Sequence, residues 1–413
     1  VSARNVISHL RALAQLTSDA QGAQRVAWGP VWRQARGWLD GIAAELGLRQ
    51  EPDAAGNNWI TLPGESPRTV IIGGHLDSVP NGGWLDGPLG VLAGIEALRV
   101  FRQRNRPVTL AVVDFADEEG ARFSRSLLGS SGASGSLVPD SVRHLMDNAG
   151  VRLVDALHDN GVALDRMPEA RQALMARHPR AYLELHIEQG PVLESMDRPT
   201  GVVIGAYGVE RHVLRFTGQA AHSGSTPIAM RRDAFLAAAE AALAFREIAR
   251  RYSTAEAGMV CTVGQVAVEP GIVTAVPGVC EIALDQRAID IGILARALAD
   301  AREAADHAAR NNGVSVEWRH VWRIEPSRFD SRLVELCAEA AQEVTGHAPR
   351  LPSGPLHDAV EMSRLMPAVM MFAYSSRGLS HCKEEDTPEP YLEQSITAFL
   401  RLVEKTVALV SSE

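Results

Sequence analysis

Thr69-Val-Ile-Ile-Gly-Gly74 is an unbroken apolar run; a helix-like stretch follows at 88–104, and then a second apolar run, Val108-Thr-Leu-Ala-Val-Val-Asp-Phe115. A strand with one wet face alternates polar and apolar residues, so continuous runs predict strands buried on both faces. Strand, helix, strand at this spacing predicts a parallel βαβ unit. N-terminal to it, Leu10, Leu13 and Leu16, then Trp32, Trp38, Leu39 and Ile42, recur at helical spacing and predict two helices within residues 1–50. A turn at Gly56-Asn57-Asn58 leads into a short strand at 59–62. C-terminal to the unit, residues 137–180 read as polar and helical, and 182–187 as another buried strand.

The texture then changes. Residues 211–323 read as strand (211–218), helix (230–252), strand (259–268), strand (279–287), helix (291–312) and strand (314–323). That βαββαβ order is the ferredoxin-like split unit. Beyond it the α/β texture returns, with helices at 328–345 and 357–365, a strand at 367–373 and a last helix at 390–411. The expected fold is α/β: a mixed, mostly parallel sheet flanked by helices, interrupted by a ferredoxin-like βαββαβ domain. The expected boundaries are 1–208 and 326–413 for the two parts of the large domain and 209–325 for the insertion.

Composition narrows the function classes. Apolar residues at 46% and charged residues at 22% exclude a disordered chain, a collagen and a disulfide scaffold. Fifty acidic against 41 basic side chains give a formal charge of −9, and no Lys/Arg run occurs, so neither nucleic acid nor an anionic membrane is the expected partner. A small-molecule substrate remains. Four scattered cysteines fit a reducing compartment, and no apolar run approaches the roughly 18 residues of a spanning helix, so a cytoplasmic location is expected.

Five short segments concentrate His, Asp and Glu where strands or turns end: Gly74-His-Leu-Asp-Ser78, Asp86-Gly-Pro-Leu-Gly90, Asp117-Glu-Glu-Gly120, His186-Ile-Glu-Gln-Gly190 and Ser380-His-Cys-Lys-Glu-Glu385. Singly, each is ordinary. A lone histidine is usually a surface or core residue, Asp-Gly a turn and Glu-Glu a solvated pair. Together they fit a site, because open α/β sheets bind beyond the C-terminal ends of their strands. His-x-Asp at a strand end lets Asp77 hold the far ring nitrogen of His75. In Glu118-Glu119 one carboxylate can bind a metal while its neighbour handles a proton. No His-Glu-x-x-His, P-loop, Gly-x-Ser-x-Gly or dinucleotide fingerprint is present.

These segments resemble the hydantoinase/carbamoylase branch of the dinuclear metallo-aminoacylase and carboxypeptidase clan, which contains N-carbamoyl-L-amino-acid amidohydrolases, allantoate amidohydrolases and β-ureidopropionases. The matching text is Gly-His-Leu-Asp-Ser-Val-Pro-Asn-Gly-Gly-Trp-Leu-Asp-Gly-Pro-Leu-Gly-Val-Leu-Ala-Gly (74–94), Asp-Glu-Glu-Gly-Ala-Arg-Phe (117–123), Leu-His-Ile-Glu-Gln-Gly-Pro-Val-Leu-Glu (185–194), Ala-His-Ser-Gly-Ser-Thr-Pro (221–227), Arg-Arg-Asp (231–233), His-Asp-Ala (357–359) and Gly-Leu-Ser-His-Cys-Lys-Glu-Glu (378–385). The resemblance implies two divalent metal ions per subunit (Zn, Mn, Co or Ni). His75, Asp86 and His186 hold one; Asp86, Glu119 and His381 hold the other, with Asp86 bridging. It makes Glu118 the general base and acid, Asp77 the residue that orients His75, and the insertion a lid through which two chains form a homodimer. It assigns oxyanion stabilisation to His222 of the partner subunit, reaching across from that chain's lid, the substrate carboxylate to Arg287 and the ureido group to Gln189. It departs at Thr274, where relatives carry an Asn that helps bind that carboxylate, and at Pro355 and Leu356, where they carry small residues.

The implied reaction is hydrolysis of a non-peptide C–N bond in an N-carbamoyl amino acid or related small carboxylate. N-acyl amino acids, dipeptides and allantoate are the alternative substrates. Two further readings compete: a catalytically silent binding protein on the same scaffold, and a serine hydrolase using Ser131 or Ser134. Retention of every proposed ligand together with Glu118 argues against the first, and dependence of activity on metal would exclude the second.

Overall fold

The run at 69–74 forms the strand Thr69–His75, every residue of which is buried. It pairs in parallel with Thr109–Phe115 on one side and Pro179–Ile187 on the other, and Pro179–Ile187 pairs in parallel with Ala368–Ala373. These four strands are the apolar heart of a sheet whose flanks turn antiparallel: Asn58–Leu62 and Gln50–Pro52 beyond Thr109–Phe115, and Thr200–Ala206 beyond Ala368–Ala373. The helix Pro88–Arg102 supplies the parallel crossover, with Val91, Leu92, Ile95 and Leu98 buried in the core. Glu389–Ser412 buries Leu392, Ile396, Phe399, Leu402 and Val403, a 3.6-residue stripe. The computed structural model describes residues 2–254 and 258–413.

The chain divides into two compact units, Val1–Ile204 with Phe329–Leu351 and Leu356–Glu413, and Gly205–Arg328 with Pro352–Pro355. The smaller unit holds a four-stranded antiparallel sheet in the order Met259–Glu269, Val279–Ala288, Gly208–Thr217, Ser315–Ile324. Val279–Ala288 alternates strictly: Cys280, Ile282, Leu284, Gln286 and Ala288 are buried and the residues between are half-buried. Onto this face pack Ala234–Tyr252 and Ile291–Asn311 through Ala237, Ala241, Phe245, Leu294, Ala297 and Ala301. Asp233 and Asp290 cap these helices, accepting backbone N–H bonds within the first turn.

Three sequence expectations change in the larger unit. The polar stretch 137–180 is no long helix but four short pieces, Pro139–Val142, Leu153–His158, Leu164–Glu169 and Ala170–Ala176. The helix expected at 357–365 is the single turn Asp358–Met362. Thr200–Ala206 is a strand the sequence reading passes over, because Gly201 and Gly205 interrupt its apolar run.

Candidate metal centre

All four parallel strands deliver site residues at their C-terminal ends. His75 closes the first, Asp117 to Glu119 follow Thr109–Phe115, His186 lies next to last in Pro179–Ile187, and the loop after Ala368–Ala373 carries His381. His75 Nδ1 donates to the Asp77 backbone oxygen (3.0 Å), and His186 Nδ1 to the Ile187 oxygen (2.8 Å). A carbonyl only accepts, so each ring donates from Nδ1 and turns its Nε2 inward.

Those Nε2 atoms converge on Asp86. Its Oδ1 lies 3.1 Å from His186 Nε2 and 3.7 Å from His75 Nε2; its Oδ2 lies 3.4 Å from His381 Nε2, itself 3.3 Å from Glu119 Oε2. The carboxylate therefore faces two ligand sets at once: His75, Asp86 and His186, and Asp86, Glu119 and His381. His75 Nε2 and Glu119 Oε1 are buried without a hydrogen-bond partner. Unpaired buried acceptors of this kind fit divalent cations, and the mixed imidazole and carboxylate donors fit Zn, Mn, Co or Ni. A third grouping, Glu184, His186 and His357, also lies within reach of one ion. Glu184, however, already accepts from the Tyr182 hydroxyl (2.8 Å) and the Ala359 amide (3.0 Å), which ties it to the core.

Asp86 is held from behind. The buried Glu385 accepts from the backbone N–H groups of Leu85 and Asp86, both at 3.0 Å, and Ser380 Oγ lies 2.9 Å from Glu385 and 2.8 Å from Asp86 Oδ2. Glu385 is absent from the set of candidate site residues although it lies inside the quoted Ser380–Glu385 segment; its burial, not its spacing, reveals it. Arg25, fully buried, fixes the opposite loop by donating to the Leu76 oxygen at 2.7 Å.

Glu118 lies beside the first set, its Oε2 3.7 Å from His75 Nε2 and its Oε1 3.9 Å from His357 Nδ1. Burial, followed by repulsion from Asp358, Glu119, Asp77 and Asp86, pushes its carboxyl well above the ordinary range. Asp86 behaves oppositely: burial opposes its ionisation, but attraction to His186 and hydrogen bonds from His186 and His381 hold it well below that range.

Asp77 differs from expectation. Its carboxylate stands 3.7 Å from His75 Nδ1 and instead accepts from the Glu118 and Glu119 amides, at 3.3 and 3.2 Å. The carbonyl of the same residue accepts the ring's Nδ1–H instead. Asp77 thus couples the first segment to the third. Gln189 sits against Asp86, its Nε2 donating to Oδ2 at 2.7 Å and lying 3.2 Å from His381 Nε2.

The smaller unit carries His222, Thr274 and Arg287. His222 Nδ1 accepts from the amides of Gly224 and Ser225, both at 3.1 Å, so its proton resides on the exposed Nε2. Thr274 is exposed, and its carbonyl accepts from Ser223 N at 2.9 Å, beside His222. Arg287 donates through Nε to Asp285 Oδ1 (2.8 Å), with Nη2 3.4 Å from Oδ2 and Nη1 3.4 Å from the Gly354 oxygen. Ser131 is buried and donates to the Leu128 oxygen, while Ser134 donates to Glu361, so neither hydroxyl has a histidine as its acceptor.

Residues 71–405 match the model of peptidase family M20/M25/M40. The chain is 36% identical over 374 residues to an N-carbamoyl-L-amino acid amidohydrolase of Geobacillus stearothermophilus, with 88% of each chain covered. It is 30% identical over 411 residues to an allantoate amidohydrolase of Bacillus subtilis (strain 168), with 98% of each covered. Among solved structures, an amidase of the hydantoinase/carbamoylase family from Burkholderia multivorans superimposes with a TM-score of 0.87 at 28% identity, over 100% of this chain and 98% of that one.

Proposed function

The chain belongs to peptidase family M20/M25/M40 and is a hydrolase of C–N bonds, and from that premise we propose that it cleaves the ureido C–N bond of an N-carbamoyl amino acid or a related ureido carboxylate, using two divalent metal ions. The observation that carries this reading is Asp86, whose two oxygens face separate ligand sets with Glu118 alongside. A ureido carbonyl resists attack because resonance weakens its electrophilicity. Two divalent ions, when bound, polarise such a carbonyl and make water nucleophilic at neutral pH. His75, Asp86, His186, Glu119 and His381 hold them. Glu118 takes the proton from the attacking water and delivers it to the leaving nitrogen, a task suited to a carboxyl raised by burial. Gln189 Nε2 meets the ureido oxygen or the group beside it. His222 offers its Nε2–H to developing negative charge, and Arg287 pairs the substrate carboxylate through its remaining Nη hydrogens while Thr274 adds a hydroxyl.

The assembly follows from the smaller unit. Met259–Glu269 is an edge strand, and Ala234–Tyr252 leaves Phe235, Leu236 and Leu243 exposed, so the unit pairs with its counterpart in a two-fold homodimer. Four free cysteines fit a cytoplasmic setting, and among the described residues no helix is long and apolar enough to cross a membrane.

The test is chelation followed by reloading with Zn, Mn, Co or Ni and assay over N-carbamoyl amino acids, allantoate, N-acyl amino acids and dipeptides. The expected result is metal-dependent release of the ureido nitrogen, with N-acyl and peptide substrates slower. Activity that survives complete chelation would sink the metal reading, and a preference for dipeptides would sink the ureido one.

A further inference from the structure

Among the described residues the Glu118 side chain meets only His75 and His357, at 3.7 and 3.9 Å, so its aim depends largely on its backbone, and that backbone is bent by its predecessor. Asp117 has φ +58°, a left-handed conformation unfavourable for a residue with a Cβ. Such a residue persists only where its surroundings over-determine it. Asp117 is buried, its carbonyl accepts from Leu128 N at 3.0 Å, and its Oδ2 takes a 2.7 Å hydrogen bond from the indole Nε1 of Trp28. Trp28 is itself left-handed, at φ +64°, and only 2% exposed. Three side chains converge on its carbonyl: Asn160 Nδ2 at 3.2 Å, Arg122 Nη1 at 3.3 Å and Arg33 Nη1 at 3.4 Å. Its ring leans on Trp32, with centroids 4.9 Å apart. Neither Trp28 nor Asp117 touches the ligand sets, and the reaction as proposed gives neither a task.

We propose that Trp28 and Asp117 are a positioning pair for Glu118: the indole N–H locks the side chain of Asp117, which holds the 117–118 peptide in the orientation that points Glu118 at the two ligand sets. The chain of cause is local. Asp77 holds the N–H of the 117–118 peptide, Leu128 N its carbonyl at 3.0 Å and Leu127 N the Glu118 carbonyl at 2.7 Å; the Trp28 bond adds the Asp117 side chain to this clamp. Without that bond Asp117 relaxes toward a right-handed or extended conformation and swings Glu118 off line. A displacement of about 1 Å at a reacting group costs up to about a hundredfold in rate. The proposal rests on Glu118 being the base.

Trp28→Phe keeps the ring and deletes the donor. With the metal-reloaded protein and N-carbamoyl-L-alanine, kcat is expected to fall about tenfold or more while KM stays within about twofold. Metal content is expected to stay at the parent's value, while the thermal midpoint falls because the buried Asp117 carboxylate loses its donor. Asp117→Ala should show the same loss, Asp117→Asn should recover most of it because its amide oxygen still accepts, and the Trp28→Phe/Asp117→Ala double variant should be no worse than either single one. A readout independent of turnover is the indole region of a ¹H–¹⁵N spectrum of the metal-free protein. One slowly exchanging indole resonance should vanish in Trp28→Phe and move in Asp117→Ala. Wild-type kcat in Trp28→Phe overturns the pair, as does a loss matched by falling metal content, or additive losses in the double variant. Should Trp28→Phe not fold, Asp117→Ala and Asp117→Asn decide on the same criteria. Glu118→Gln separates the two layers: full activity in it refutes the base assignment, whereas an inactive Glu118→Gln beside a normal Trp28→Phe refutes only the positioning.

Discussion

Replacing Glu118 by Gln keeps the shape of the side chain and removes its basicity. Turnover is expected to drop at least about a hundredfold, the lower range for a lost general base, while metal content measured by plasma mass spectrometry holds. Equal loss of metal would make Glu118 a ligand. Arg287→Lys tests recognition. Lysine keeps the charge and loses the planar fork, and because Asp285 already occupies the Nε edge of Arg287, a lysine is drawn wholly to that carboxylate. For a carboxylate-bearing substrate, kcat/KM should fall by about 2–4 kcal/mol with the metal sites untouched. An unchanged value would mean that Arg287 only braces its own strand. At this scale the ligand types were legible because burying His, Asp and Glu at the ends of apolar strands is costly unless they are paired or bind a metal. The donor geometry was not: nothing in His-Leu-Asp says that the carbonyl of Asp77, and not its carboxylate, meets the ring.

Elements place these residues through very small clearances. Gly87 precedes Pro88–Arg102 at φ +82°, and a Cβ there would come within 2.4 Å of the His75 ring. Gly87→Ala therefore strains the backbone and pushes the imidazole at once. A loss of about 1–3 kcal/mol in stability is expected in denaturant unfolding of the metal-free protein, together with weaker zinc binding in calorimetry. Wild-type binding with full stability would show that the turn adapts. The apolar runs announced the parallel strands because both faces are covered; the antiparallel flank Thr200–Ala206 was hidden by its glycines. Trp28 was invisible for another reason. It lies between two predicted helices, and only the folded chain brings it 2.7 Å from a residue 89 positions away.

For the whole molecule the testable quantity is mass. Sedimentation at micromolar concentration should give twice the 44.5 kDa of one chain. Leu243→Asp, which plants a charge on a helix residue 58% exposed in the single chain, should shift the protein toward monomer with unchanged circular dichroism. If His222 reaches the centre of the opposite chain, that monomer loses activity as well. A fully active monomer would remove both the dimer and the part given to His222.

The two ligand sets differ in one respect that governs how the protein behaves on the bench. The His75 and His186 side chains are at most 2% exposed, whereas that of His381 is half exposed. If each set holds an ion, as proposed, the two should leave by different routes, one through the outer His381 position and one only after local opening. Dialysis against a mild chelator should strip the protein in two kinetic phases. Stopping between them and adding a different ion should yield a mixed-metal species with the original ion retained inside. Specific activities compared across preparations then report loading history as much as sequence, and a full exchange series needs unfolding or prolonged chelation to reset the inner position.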